Sequence, residues 1–384
     1  MNDRFFESDP KTEQDSPLSL LSLVSEGGRK HTQISPVASE EALWGQFSGH
    51  ERSKLEKESA QFDALNTDIE KRERFYSALT GIATASDSYV SQEDRLKISA
   101  QIVRHAASPE TVRQGHHQTC SATTAEYLLY KHDPAAVAQF TGDLVSSRQY
   151  SWKDMNITST VPASIFKADE ESRSKSGRDL SSQIFQMGMI NVYWHGQNSG
   201  PFGLVHGPGA VRFEEVKPTS EPGDTGERLI LHNESGDKVI ARNPEVQAGA
   251  VQYMYMFATR DIPPNFVIEN VKENTGVTLT VSDVHSLRAV ISERTSAKQP
   301  LAIKIHAGNE PFLSQLLGYN SLTLDSVWHV LAVDDFNAKH NMVKIHDPAR
   351  HEDNEQWISL DDLYRATTTP RSQAWKTTLT KLKH

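Results

Sequence analysis

Cys120 is the only cysteine in 384 residues, and it stands in RQGHHQTCSATTAEYLL (113–129), where a polar loop gives way to a helix. Thr119 can cap that helix, and Ala122, Ala125, Leu128 and Leu129 repeat at the spacing of one inward face. A thiol in the first turn of a helix meets the positive end of the dipole and unpaired N–H groups, which favour the thiolate. That is the setting of a nucleophile, given a base within hydrogen-bond reach. A lone cysteine is more often a buried apolar residue, so its partners decide the matter. Gln114, six residues upstream, can bring its amide to an oxyanion beside the Cys120 N–H, and Gln118 competes for that place. A base and its orienting group are offered by DSVWHVLAVDDFNAKHNMVKIHDPARHED (325–353), which reads as two antiparallel strands around the turn NAKHN. His329 begins an alternating run on the first strand. Asp347 closes the second, just before Pro348 ends regular pairing. Pairing of the two strands brings positions 329 and 347 together, so that a carboxylate can hold the imidazole in one tautomer.

Glutamine, glycine, four residues and a helix-starting cysteine, then a strand histidine and a hairpin-partnered aspartate, form a series in the order Gln114, Cys120, His329, Asp347. In type and order it resembles the papain-like cysteine peptidase superfamily. The resemblance implies Gln114 as oxyanion donor, Cys120 as nucleophile, His329 as base and Asp347 as the orienting residue. It also implies an α+β, papain-like two-lobe fold, a helical lobe plus a largely antiparallel β-sheet lobe, acting without a cofactor on a protein or peptide substrate. The chain departs from the pattern in three places. SATTAE follows the cysteine where papain has an aromatic residue, the third member is Asp rather than Asn, and the long separation of Cys120 from His329 calls for an inserted element. These departures suit a specialised peptidase, or a deamidase or transglutaminase-like acyl transferase running the same thioester chemistry. A non-catalytic binding protein that keeps the fold is the competing class; the chemically competent residues at all four positions argue against it.

The elements that would position these residues follow from patterning. Residues 1–38 are rich in Ser, Pro, Gly and charge and are expected to be a flexible leader. Residues 39–107 carry apolar positions at helical spacing among many charges and are expected to form an N-terminal helical extension, with SQEDRLKISAQIVRHAA as one helix after Ser91. Residues 108–384 would be the catalytic domain, with an insertion around 195–250. After the Cys120 helix, Asp133 and Pro134 suit the cap and first position of a second helix. MINVYW, LILHNESGDKVIAR, VQYMYMFATRD, LAIKIH, SVWHVLAVDDF and MVKIHDPA read as strands, the second of them a hairpin turning at NESGD, and SDVHSLRAVISER as a helix.

Composition narrows the function further. A formal net charge of -10 disfavours nucleic acid and anionic membranes as partners. No stretch approaches the roughly 18 apolar residues of a membrane helix, so membrane insertion is not expected. The single cysteine cannot form an internal disulfide, and MNDRFFESDPKTEQDSPLSLLSLVSEGG lacks the basic, apolar and small-residue order of a signal peptide. The expectation is a cytoplasmic protein, or an effector-like one exported without a Sec signal. Among 16 histidines, His116, His117, His346 and His351 could be imagined around Asp347 as ligands, yet neither HExxH nor zinc spacing is present, so no metal is expected. Gln118, His117 and Trp194, the last in the glycine-rich WHGQNSGPFG, are the candidate substrate-binding residues.

Overall fold

A computed structural model describes residues 36–86, 88–115, 117, 119–167, 177–199, 211–217, 219, 224, 226–233, 236–244, 246, 248–272, 278–312, 328–349 and 355–370. The leader up to residue 35 lies outside them. The first helices are α1 (Pro36–Trp44), α2 (Gly49–Leu65), α3 (Ile69–Thr84) and α4 (Gln92–Ala107). Their ends follow local chemistry. Ser91 accepts a hydrogen bond from Asp94 N at 3.1 Å to cap α4. Glu93 and Asp94 occupy the first turn of that helix and Arg104 and His105 the last, the signs its dipole favours. Asp68 caps α3 in the same way.

The chain continues through α5 (Cys120–His132), α6 (Pro134–Ser147), the ribbon β1 (Gln149–Trp152) and β2 (Ile157–Thr160), and α7 (Leu180–Ser199). There follow β3 (Val211–Glu215), β4 (Glu227–Asn233), β5 (Gly236–Arg242) and α8 (Ala250–Thr259). The last stretch holds β6 (Val267–Asn270), β7 (Leu279–Val281), α9 (Val284–Ser296), β8 (Ala302–His306), β9 (Trp328–Asn337), β10 (Met342–His346), β11 (Glu355–Ser359) and α10 (Leu360–Ala366). The class is mixed α+β.

Two expected strands are helices. MINVYW lies inside α7 and VQYMYMFATRD forms α8. Both runs are buried nearly all round, so neither alternation nor a 3.6-residue stripe shows in the sequence, and their aromatic and branched residues mimic a strand. Length settles it: α7 extends over 20 residues, too many for a typical strand. Its Gly188 is a close-approach residue, since a Cβ there would collide with Leu144 and press on Phe140 of α6.

Sheet order in the largest sheet is β11-β10-β9-β8-β6-β7. The pairs from β11 to β8 are antiparallel, whereas β6 pairs in parallel with both β7 and β8. Side chains alternate between two cores. Val330, Ala332 and Ala302 face a core built with α1 to α8, while Leu331, Val333 and Ile303 face a second one closed by α9 and α10. A sheet covered on both faces explains the nearly unbroken apolar runs of β8 and β9. The expected hairpin is β4–β5, joined by β3 into a separate three-stranded antiparallel sheet. Among the described residues no helix is long and apolar enough to cross a membrane.

Candidate active site

Helix α5 begins at Cys120, with Thr119 at the cap position. The expected inward residues Ala122, Ala125, Leu128 and Leu129 are buried, but so is every residue from Ser121 to Tyr130: the helix is central rather than one-sided. It packs against α6, α7, α8 and β9. One row of its side chains is fastened along β9. Thr124 Oγ1 donates to Val330 O at 3.0 Å, Tyr127 OH to Asp334 Oδ2 at 2.6 Å, and Lys131 Nζ pairs with Asp334 Oδ1 at 3.2 Å. Tyr127 also stacks on His346, ring centroids 3.7 Å apart and 8° from parallel. These residues recur at helical spacing from Cys120, so the bonds that fasten the helix also bring its first turn to the start of β9.

His329 is the second residue of β9, and Asp347 follows the last residue of β10. The β9–β10 register places His346 opposite Ala332, so Asp347 lies a short step from His329. His329 Nε2 meets Asp347 Oδ1 at 2.8 Å, and both side chains are buried. The same Asp347 oxygen accepts from Ala349 N at 3.1 Å, which fixes the carboxylate. Cys120 lies close enough to His329 to act as a further hydrogen-bond and charge partner of the imidazole. With Nε2 turned to Asp347, Nδ1 is the ring nitrogen left to serve the thiol. Burial alone would drive the imidazole pKa down. The charge and hydrogen bond of Asp347, with a smaller contribution from Cys120, outweigh burial and raise it to about 10. The pair therefore favours imidazolium at neutral pH. Cys120 itself is only partly exposed.

The loop before α5 is tied on several sides. Gln114 N donates to Pro348 O at 3.2 Å, which joins the loop to the turn carrying Asp347. Gln114 Nε2 donates to His117 O at 2.6 Å. An amide nitrogen carries two hydrogens, and the oxyanion role requires the second. Thr119 does not use its hydroxyl as a helix cap. It donates instead to Gln186 Oε1 on α7 at 3.0 Å.

The candidate substrate contacts fare differently. His117, expected to line a groove, is turned inward: its ring lies between Glu227 Oε1 at 3.2 Å and Glu215 Oε2 at 3.5 Å. Glu215 is also paired with the fully buried Arg178, so His117, the two glutamates and the arginine form one polar cluster that ties the loop to β3 and β4. Trp194, expected at a strand end beside a loop, lies within α7, half-buried, its ring at 5.5 Å edge-on to Tyr193. Gln118, His116 and His351 lie outside the described residues, as does most of the glycine-rich segment after Ser199. Among the described residues no group of three His, Cys, Asp or Glu has the geometry to hold a metal ion.

Sequence reasoning missed Gln186, Glu126 and Ser182, which form a buried polar network behind the loop. The signal was present in part: Glu126 is a charge in the middle of an otherwise apolar helix face. Its partners Ser182 and Gln186 precede MINVYW, in a stretch where patterning alone marks no element. Comparison with family models, with curated proteins and with solved structures returns no match to this chain.

Proposed function

We propose that the protein is a cysteine-dependent hydrolase acting on peptide or amide bonds through Cys120, His329 and Asp347, with a divergent papain-like two-lobe arrangement. The observation that carries this reading is the continuous line from Cys120 through the His329 imidazole to the Asp347 carboxylate, at a helix start. The Cys120 proton resides on His329 Nδ1 in a thiolate–imidazolium pair, and the sulfur attacks the carbonyl carbon of the substrate amide. The resulting oxyanion is held by the Gln114 amide and by the Cys120 N–H, which as a first-turn donor has no partner within its own helix. His329 then passes the proton to the leaving amine as the C–N bond breaks, leaving an acyl thioester on Cys120. Water, deprotonated by His329, cleaves the thioester, returning the thiol and a carboxylic acid.

Protein or peptide is the substrate class, and no cofactor takes part in any step. Product mass is the test. A library of peptides incubated with the protein should yield a new N-terminus, or a carboxylate in place of a side-chain amide, and an added amine should lead instead to a transferred acyl group. Cys120→Ala should abolish each product while far-UV circular dichroism and the melting temperature stay unchanged, because a partly exposed first-turn side chain contributes little to the core. Turnover that survives in Cys120→Ala would refute the reading.

A further inference from the structure

Gln186 touches the catalytic loop at both ends. Its Nε2 donates to Arg113 O at 2.9 Å, and its Oε1 accepts from Thr119 Oγ1 at 3.0 Å. Arg113 and Thr119 are the residues immediately before Gln114 and Cys120, the two groups to which the oxyanion is assigned. One buried carboxamide thus spans the two ends of the segment whose internal distance sets the width of an oxyanion hole. The orientation of that carboxamide is itself determined. Nε2 also donates to Glu126 Oε2 at 2.8 Å, and Glu126 Oε1 accepts from Ser182 Oγ at 2.7 Å. Turning the amide over would set its oxygen against a carbonyl and a carboxylate, so the network admits one arrangement. Glu126 belongs to the same helix as Cys120, and Ser182 and Gln186 lie one turn apart on α7. The three side chains lock the nucleophile's helix, the loop and α7 into one unit.

We infer that Gln186 is a positioning residue of the acyl-transfer site, holding the Gln114 amide and the Cys120 N–H at the separation a tetrahedral oxyanion requires. Glu126 and Ser182 are the groups that orient it. This inference rests on the proposed acyl-transfer reading. It separates two reactions of Cys120. Alkylation by iodoacetamide forms a C–S bond and expels iodide with no oxyanion, so it needs only the thiolate. Acylation by p-nitrophenyl acetate forms a thioester and expels p-nitrophenolate through a tetrahedral oxyanion, with the thiol proton held on His329.

The experiment compares the two rates on the full chain. In Gln186→Glu the oxygen facing Thr119 remains and the donor to Arg113 O is lost. Acylation should fall about tenfold while alkylation is unchanged. This variant also sets a second carboxylate against Glu126 and is expected to be less stable. The exchanged pair Glu126→Gln with Gln186→Glu restores an amide–carboxylate contact, and with it the melting temperature, but not the donor to Arg113 O. The acylation-to-alkylation ratio should therefore stay low in the exchanged pair. A ratio unchanged in Gln186→Glu, or one that recovers along with the melting temperature in the exchanged pair, would overturn the inference by reducing Gln186 to a packing role. Wild-type acylation no faster than that of N-acetylcysteine would instead overturn the acyl-transfer reading, and the inference with it.

Discussion

At the scale of single residues, the His329–Asp347 pair has a chemical and a structural role that substitution can separate. Both groups are buried, and the imidazole is held charged by the carboxylate against the pull of burial. Asp347→Asn keeps an oxygen for His329 Nε2 and for Ala349 N but removes the charge. The His329 pKa should then fall, and kcat should drop about 100-fold while the fold persists. Asp347→Ala leaves a buried imidazole with its carboxylate gone and should cost about 3–5 kcal/mol of stability, the usual penalty for breaking a buried pair from one side. Activity assays and urea melts on the two variants check both numbers; equal stability for Asn and Ala would show that the pair is not held as described.

At the scale of elements, α5 is the piece on which the site depends, and it carries a buried charge of its own. Burial pushes the Glu126 carboxyl from 4.5 up to about 7, against the opposing charge of His105 and the hydrogen bonds from Gln186 and Ser182. A folded-state pKa raised above the unfolded one favours the native state at low pH, and that contribution is lost as pH climbs from 4.5 through 7. Glu126→Gln removes the titration; its oxygen can still accept from Gln186 Nε2, while its amide nitrogen must donate to a turned Ser182 hydroxyl. It should be more stable than wild type at pH 8, by up to about 3 kcal/mol, with the gap closing at pH 4. Much of this element was legible in advance: its start at Cys120, its apolar positions, and the Pro134 start of the helix that follows. The β4–β5 and β9–β10 hairpins were legible for the same reason, since turn residues and alternation are local signals. What could not be read was α7. Its stretch 180–193 is buried nearly all round, so its composition carries no period, and Gln186 is recognisable only once the residue is known to lie on a helix beside Glu126. Thr119 is a related case. It suits a cap, yet its hydroxyl serves a partner 67 residues away that no local rule reveals.

For the whole molecule, buried titrating groups on different elements give the stability opposing dependences on pH. His346 is pushed down to about 3, chiefly by burial, so its contribution is present above 6.5 and lost as pH falls toward 3. Glu126 acts in the opposite sense between 4.5 and 7, and the two offset each other in mildly acidic solution. His329, raised to about 10, stabilises the fold fully below 6.5 and loses that contribution as pH rises through 10. His132, pushed down to about 4 chiefly by burial, adds a second loss on the acid side, so the melting temperature should fall below about pH 6 and decline again between about pH 7 and 10. His329→Ala should flatten the alkaline decline; a wild-type protein equally stable at about pH 7 and 10 would contradict a buried imidazolium.

The most direct measurement is the rate at which iodoacetamide labels Cys120 at about pH 6, followed by intact mass in wild type and in His329→Ala. The proposed Cys120–His329 pair predicts labelling at least about tenfold faster than in either the variant or free N-acetylcysteine, because the thiolate is the reactive species. Equal rates for all three would mean that Cys120 and His329 do not act as a pair, and would contradict the proposed catalytic site.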